Sequence, residues 1–380
     1  MPSKSVVVIS SSSFLEQVIK NRLTPFFNLL LERDFKVIYV CPSVINNKGL
    51  TPPGVRLVEV KIPETKSTSF IQRALKEINA SAHLLAVARK QSADAYLITI
   101  PSMFLGFLAP IYLYNSKVVL DIRDITWEYL SDDVTLHKYS KRLMRFTFNK
   151  IVNFYKGISV TNKTELSYVS KIWHKEPSIL LIPNGIMREQ FNKVQNVTTV
   201  NNEFFIVTYI GNIGIAQHLE TLVLAAKELP NIRFRIIGSG IEQDKINNII
   251  SDNKLGNIEL IGKVPWHKVI DYYNETNILY AQLAPDFSGA MPSKLYEYLA
   301  TGKCIIYGGM GQASTTLSNF QNIHVIQPCN TVELIETIKA VSKDFKQQKI
   351  SHENRNKIKK HYIREANAKI LIDFIQNLVS

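Results

Sequence analysis

The chain has 380 residues, 46% of them hydrophobic and 20% charged, with a formal net charge of +13. Its length exceeds the roughly 250 to 300 residues at which one core stops growing, so two domains are expected. No stretch reaches the ~18 uninterrupted apolar residues that a membrane span needs, and the apolar run Val6 to Ile9, followed by serines, is too short for a signal peptide.

Charge and cysteine usage narrow the setting. Residues 1–190 hold 25 Lys and Arg against 15 Asp and Glu, whereas residues 191–380 hold 20 against 17, which suggests that the halves face different partners. The cysteines Cys41, Cys304 and Cys329 show no metal spacing and cannot all pair within the chain. Cys41 and Cys304 lie in or beside apolar, β-like runs, as reduced buried thiols of a cytoplasmic protein do.

Short apolar runs alternate with helical stretches along the first half: Val6 to Ile9, Lys36 to Cys41, Arg56 to Val60, Ala95 to Ile100, Lys117 to Ile122, Gly157 to Val160 and Ser178 to Ile182. The serine run at residues 10–13, with Ser11, Ser12 and Ser13, follows the first strand and is a candidate for acceptor or phosphate binding, although it lacks glycines. Met103 to Tyr114 reads as a buried core helix, with an interfacial patch as the alternative. Arg123 and Asp124 follow another strand, where buried Asp–Arg pairs are common scaffold features. Residues 137–157 hold six Lys and Arg and no acid. Leu143, Phe146, Ile151 and Phe154 recur there at helical spacing, as in a core-packing helix with a solvated basic face. An anionic leaflet or a lipid diphosphate would also suit those cations, whereas no nucleic-acid-binding motif is present.

The polar stretch Asn192 to Glu203 makes a natural linker. A second series of strands follows, Phe204 to Ile210, Arg233 to Ile237, Ile258 to Ile261, Ile278 to Leu283, Cys304 to Tyr307 and His324 to Ile326, and the pattern after residue 340 is helical. Runs that are apolar on both faces and alternate with helices indicate two doubly wound α/β domains with parallel sheets. The expected domains are residues 1–192, joined by an amphipathic helix at about 362–380, and residues 203–361. Ligands would bind in a cleft beyond the carboxyl ends of the strands.

Two strand-to-helix loops in the second half carry glycines, Gly211 and Gly214 in the first and Gly238 and Gly240 in the second. Glycine there lets backbone approach a ligand, and the following helix offers N–H groups to phosphate, with an ordinary structural turn as the alternative. The dinucleotide fingerprint is absent. In "PSKLYEYLATGKCII", Lys294 falls in a helix's first turn, which is unfavourable unless an anion sits opposite or the side chain bends into water.

The order "YIGNIGIAQHLETL", "IIGSG", "GKVP" and "APDFSGAMPSKLYEYLATGK" resembles the nucleotide-sugar domain of the GT-B glycosyltransferases, family 4. It is most similar to the branch of bacterial O-antigen and capsule enzymes labelled L-fucosamine (N-acetylfucosamine) transferases. "LDIRD" and "IPNGI" carry the likeness in the first half, which is strong over about 178–308 and weak before 90. The resemblance implies a retaining transferase, without metal or other cofactor. It would move an N-acetylated or 6-deoxy sugar from a nucleoside diphosphate, expected to be UDP, to a lipid-linked saccharide at the inner face of the cytoplasmic membrane, which it would meet through residues 137–157. A GT-B nucleotide-sugar 2-epimerase and a non-catalytic sugar-nucleotide-binding partner of an assembly complex are the alternatives.

By that resemblance Glu297 binds the ribose hydroxyls, Ser293, Lys294 and the amides around Asn212 and Gly214 bind the diphosphate, and Lys263 and Val264 flank the base. Arg123 and Asp124 face the sugar or acceptor, and Asp121 is structural. Departures from the family pattern shift roles. Gly289 stands where a first glutamate is common, so its contact is missing or falls to Asp286 or to the main chain at 287–290. The usual Arg and Lys of the first phosphate loop are replaced by Asn212 and Gln217, which leaves Lys294 as the principal cation on the diphosphate. His218 stands where most of the branch has glycine.

Overall fold

The computed structural model describes residues 3–43, 51–62, 69–100, 102–173, 178–199, 203–287, 291–343 and 349–380. The chain divides into two compact units, Met1–Asn184 with Arg364–Ser380, and Gly185–Ile363. The break precedes the polar stretch that begins at Asn192. The helix Arg188–Val194 already places Phe191 and Val194 in the second unit's core, so the first unit ends at Asn184 rather than at 192.

The first unit's strands are β1 (Ser5–Ser10), β2 (Lys36–Pro42), β3 (Val55–Val60), β4 (Ala95–Ile100), β5 (Val118–Ile122), β6 (Gly157–Val160) and β7 (Ile179–Leu181). All pair in parallel, in the order β3-β2-β1-β4-β5-β6-β7. Helices α1 (Gln17–Glu32), α2 (Phe70–Arg89), α3 (Met103–Tyr112), α4 (Thr135–Ile151) and α5 (Lys163–Ile172) connect them. Side chains alternate across a strand, so β1 sends Val7 and Ile9 into one core and Val6 and Val8 into the other. Both faces are therefore covered, which is why these strands read as continuous apolar runs.

The second unit begins with α6 (Arg188–Val194) and holds β8 (Phe205–Asn212), β9 (Ile232–Ser239), β10 (Ile258–Ile261), β11 (Ile278–Gln282), β12 (Cys304–Gly308) and β13 (Ile323–Ile326). They too are parallel, in the order β10-β9-β8-β11-β12-β13. Helices α7 (Glu220–Glu228), α8 (Gln243–Asp252), α9 (Trp266–Glu275), α10 (Ser293–Thr301), α11 (Gln312–Leu317), α12 (Thr331–Lys343) and α13 (His352–His361) complete it. The last helix, α14 (Arg364–Val379), returns to the first unit, where Leu371, Ile372 and Ile375 pack in the core that α1 covers.

Two helices differ from the sequence reading. In α3 only Leu105, Gly106 and Ala109 are buried, and Ile111 is 67% exposed. In α4 the buried side chains are Lys141 and Phe148, whereas Leu143 and Phe146 are exposed rather than core-facing. Periodicity identifies an apolar face but not the direction in which the fold turns it. Among the described residues no helix is long and apolar enough to cross a membrane.

Candidate active site

The second sheet reverses its strand order between β8 and β11, the switch point at which open parallel sheets bind ligands. β8 ends at Asn212 and runs into the loop that precedes α7. Asn212 donates through Nδ2 to Gln217 Oε1 at 3.3 Å, and a Cβ on Gly214 would meet the ends of both side chains, so a larger residue there would displace this polar pair. The second glycine loop serves the first. Gly238, at φ 148°, leaves no room for a Cβ beside Gly211 O, and Ile213 N donates to Ser239 O at 3.0 Å. Close backbone packing therefore accounts for glycine at 238.

His218 adopts the left-handed conformation, φ 42° and ψ 53°, which explains glycine at this position in the resembling branch. The conformation is held from outside. Gln282, buried at the end of β11, donates through Nε2 to Gln217 O (3.2 Å), His218 O (2.9 Å) and Thr221 Oγ1 (3.2 Å). Its Oε1 accepts from Tyr280 OH (2.8 Å) and Cys329 N (2.9 Å). The His218 ring reaches Thr221 Oγ1 at 3.3 Å through Nδ1. The sequence reading missed Gln282; a polar residue closing an apolar β run was its only signal.

Lys294 neither bends into water nor stands alone in the first turn of α10. Its Nζ donates to Glu297 Oε1 at 2.9 Å. That same oxygen accepts from Tyr273 OH (2.7 Å) and Trp266 Nε1 (3.2 Å), and Glu297 is only 7% exposed. Trp266 and Tyr273, two helical turns apart on α9, share a face and fix the carboxylate. Ion pairing at i,i+3 thus offsets the unfavourable first-turn position of the lysine. Ser293, Asp286 and Lys263 are exposed, and Val264 is half-buried against the second unit's core. Gly289 lies outside the described residues.

In the first unit the carboxyl edge of the sheet carries a second polar group. Asp121 is fully buried and accepts from Arg22 (2.6 Å), Thr99 (3.0 Å) and Ser159 (2.7 Å). Burial raises its pKa, but the charge and hydrogen bonds of Arg22, with the Ser159 hydroxyl and the charge of Arg123, together outweigh this and hold the carboxyl below its ordinary value. Asp121 is therefore a structural anchor between α1 and the sheet. Arg123 and Asp124, immediately beyond β5, are half-buried, and the Arg123 Nε is buried without a hydrogen-bond partner among the described residues. The Ser10 and Ser13 hydroxyls accept from the amides of Ser12 and Leu15, both at 3.1 Å, so they shape their own loop; Ser11 and Ser12 are half-exposed beside them.

Glu165, in the first turn of α5, was not anticipated as a site residue. Its Oε2 accepts from Thr161 N (2.8 Å) and Thr161 Oγ1 (3.0 Å), while Oε1 has no partner among the described residues. Burial, reinforced by the charge of Asp124, pushes this carboxyl up to about 8.

Two Rossmann-like units with parallel sheets make this a GT-B fold. Residues 190–360 match the family described as glycosyl transferases group 1, so the second unit carries that domain. A glycosyltransferase from Rickettsia africae ESF-5 has a similar fold, with a TM-score of 0.73 at 14% identity over 100% of both chains. Anabaena Alr3699/HepE, solved with UDP and glucose, superposes with a TM-score of 0.68 at 13% identity over 98% of this chain and 99% of its own. WaaG, a glycosyltransferase involved in lipopolysaccharide biosynthesis, gives a TM-score of 0.63 at 12% identity over 96% and 99%. No curated protein matches the chain by sequence. Fold and domain together support a glycosyltransferase.

Proposed function

We propose that the chain is a retaining, metal-independent glycosyltransferase. It would move an N-acetylated or 6-deoxy sugar from a UDP-linked donor to a lipid-linked saccharide in surface polysaccharide synthesis. The observation that carries the reading is the buried Glu297, fixed by Tyr273 and Trp266 and paired with Lys294 inside the matched glycosyl transferases domain. In this reading Glu297 accepts the ribose hydroxyls, and Lys294 exchanges the carboxylate for the donor diphosphate. The bond between the sugar's anomeric carbon and the diphosphate breaks, the acceptor oxygen bonds to that carbon on the same face, and the acceptor proton passes to the departing diphosphate oxygen. Lys294 and the amides around Asn212 and Gly214 stabilise the charge that develops there. Arg123 and Asp124 bind donor sugar or acceptor, with Ser11, Ser12 and Ser13 on the acceptor side.

The UDP and glucose bound by the Anabaena protein support a nucleotide-sugar donor, and the role of WaaG supports a polysaccharide setting. The basic segment 137–157 is assigned to the inner face of the cytoplasmic membrane, where a lipid-linked acceptor is presented. Thermal shifts with UDP, GDP, ADP and TDP sugars identify the donor, since a ligand at 100 times its dissociation constant stabilises by about 2.7 kcal/mol. With that donor, Lys294→Ala should lower turnover about 100-fold, as loss of one electrostatic contact to a developing charge does. Near-wild-type turnover of the variant would overturn the assignment. Release of a free epimerised sugar nucleotide would point to an epimerase instead.

A further inference from the structure

The outer face of α4 is apolar. Leu136, Tyr139, Leu143 and Phe146, three and four residues apart, share one face and are 45%, 64%, 65% and 60% exposed. Beside them runs a groove of about 280 Å³ between α2, α3 and α4, walled by Ile71 and Leu75, Phe104 and Phe107, and Leu136 and Leu143. Leu136 and Leu143 belong to both groove and strip, so the two form one continuous apolar surface. On the strip's other flank Lys138 and Arg142, one turn apart, are exposed and have no ion-pair partner among the described residues, whereas Lys141 and Arg145 pair with Asp132 and Glu128. Lys150 Nζ lies 5.5 Å over the Phe146 ring.

This arrangement selects its occupant. A soluble apolar partner would fill the groove but leave the unpaired cations unmatched, and a polyanion would match the cations but leave the strip wet. An anionic bilayer satisfies both, with hydrocarbon against the strip and head groups at the cations. We infer that this face of the first unit docks on an anionic leaflet and that the groove between α2, α3 and α4 admits one lipid acyl chain. The inference rests on the membrane contact proposed above and deepens it, because a basic segment alone calls only for charge.

The fold supplies an internal reporter. The Trp127 ring, buried 5.7 Å from Phe107 and 5.2 Å from Phe148, lies directly behind the groove wall. The full-length protein is floated with vesicles containing about one-third phosphatidylglycerol in phosphatidylcholine. Fluorescence is then compared between wild type and Trp127→Phe with brominated acyl chains. The expected result is flotation that persists at high salt, quenching of the Trp127 component, and about tenfold weaker binding for Leu75→Glu combined with Leu143→Glu. Both leucines are exposed, so the variant should keep the wild-type melting temperature. Flotation abolished by salt, flotation without Trp127 quenching, or full binding by the double variant each overturns the inference, as does absence of flotation. Sugar transfer to a water-soluble acceptor analogue is measured separately, so a failure of the catalytic reading leaves the flotation result standing.

Discussion

Gln282 shows how much one buried side chain decides at this site. Its amide contacts Tyr280 two residues back and, far away in sequence, Gln217, His218, Thr221 and Cys329, and it braces His218 in a left-handed conformation that costs a residue with a Cβ about 1 to 2 kcal/mol. Replacing it by leucine leaves the buried Tyr280 hydroxyl and the half-buried Cys329 amide and loop carbonyls without these partners. Each such group costs about 1 to 3 kcal/mol. Gln282→Leu should therefore lower the unfolding free energy by about 3 kcal/mol or more in urea titration, whereas Tyr280→Phe, which removes one donor, should cost about 1 kcal/mol. Equal effects of the two would show that the network is not a unit. Little of this was legible in the sequence, because all of the glutamine's partners except Tyr280 come from segments 47 to 65 residues away that only the fold brings beside β11. His218 was conspicuous as a departure from glycine, but only its φ angle explains it.

At the level of elements, α5 couples local capping to pH. Asn162 caps the helix by accepting from Glu165 N at 2.8 Å, and Glu165 returns the contact to Thr161, so the first turn is stapled by a carboxyl that burial drives up to about 8 from an ordinary 4.5. Between those two values the folded chain holds a proton at Glu165 that the unfolded chain has released. The contribution to stability is fully present below pH 4.5 and is lost as pH rises through about 8. Urea midpoints measured at pH 5 and pH 8 should fall for the wild type by more than for Glu165→Gln, which keeps the acceptor oxygen and cannot ionise. The same difference in both proteins would exclude Glu165 as the source. Elements as such were plain in the sequence: strands covered on both faces must be apolar throughout, and each of the short runs from Val6 to Ile326 corresponds to a strand. The outward turn of α4 was not, because spacing reports that Leu143 and Phe146 share a face and is silent on what that face meets.

On the scale of the whole molecule, the last helix is the piece whose position in the chain and position in the fold diverge most. α14 follows the second unit in sequence yet belongs to the first, where Ala368, Leu371, Ile372, Ile375 and Val379 fill the core under α1, and Arg364 donates to Asn21 O at 3.0 Å. Burial of those apolar side chains contributes roughly 10 kcal/mol, comparable with the entire 5 to 15 kcal/mol stability of an ordinary domain. Its amphipathic pattern at the chain's end announced that it must pack somewhere, but its partner, α1, lies more than three hundred residues earlier. Deleting residues 364–380 should therefore unfold the first unit while the second, whose core contains none of these side chains, remains folded. Hydrogen exchange resolved by peptide is the direct measurement: protection should vanish across β1, β2, β4 and β5 and persist across β8, β9, β11 and β12. Protection retained in the first sheet would show that α1 and the strands hold their core without the helix, and loss in both sheets would show that the two units unfold as one.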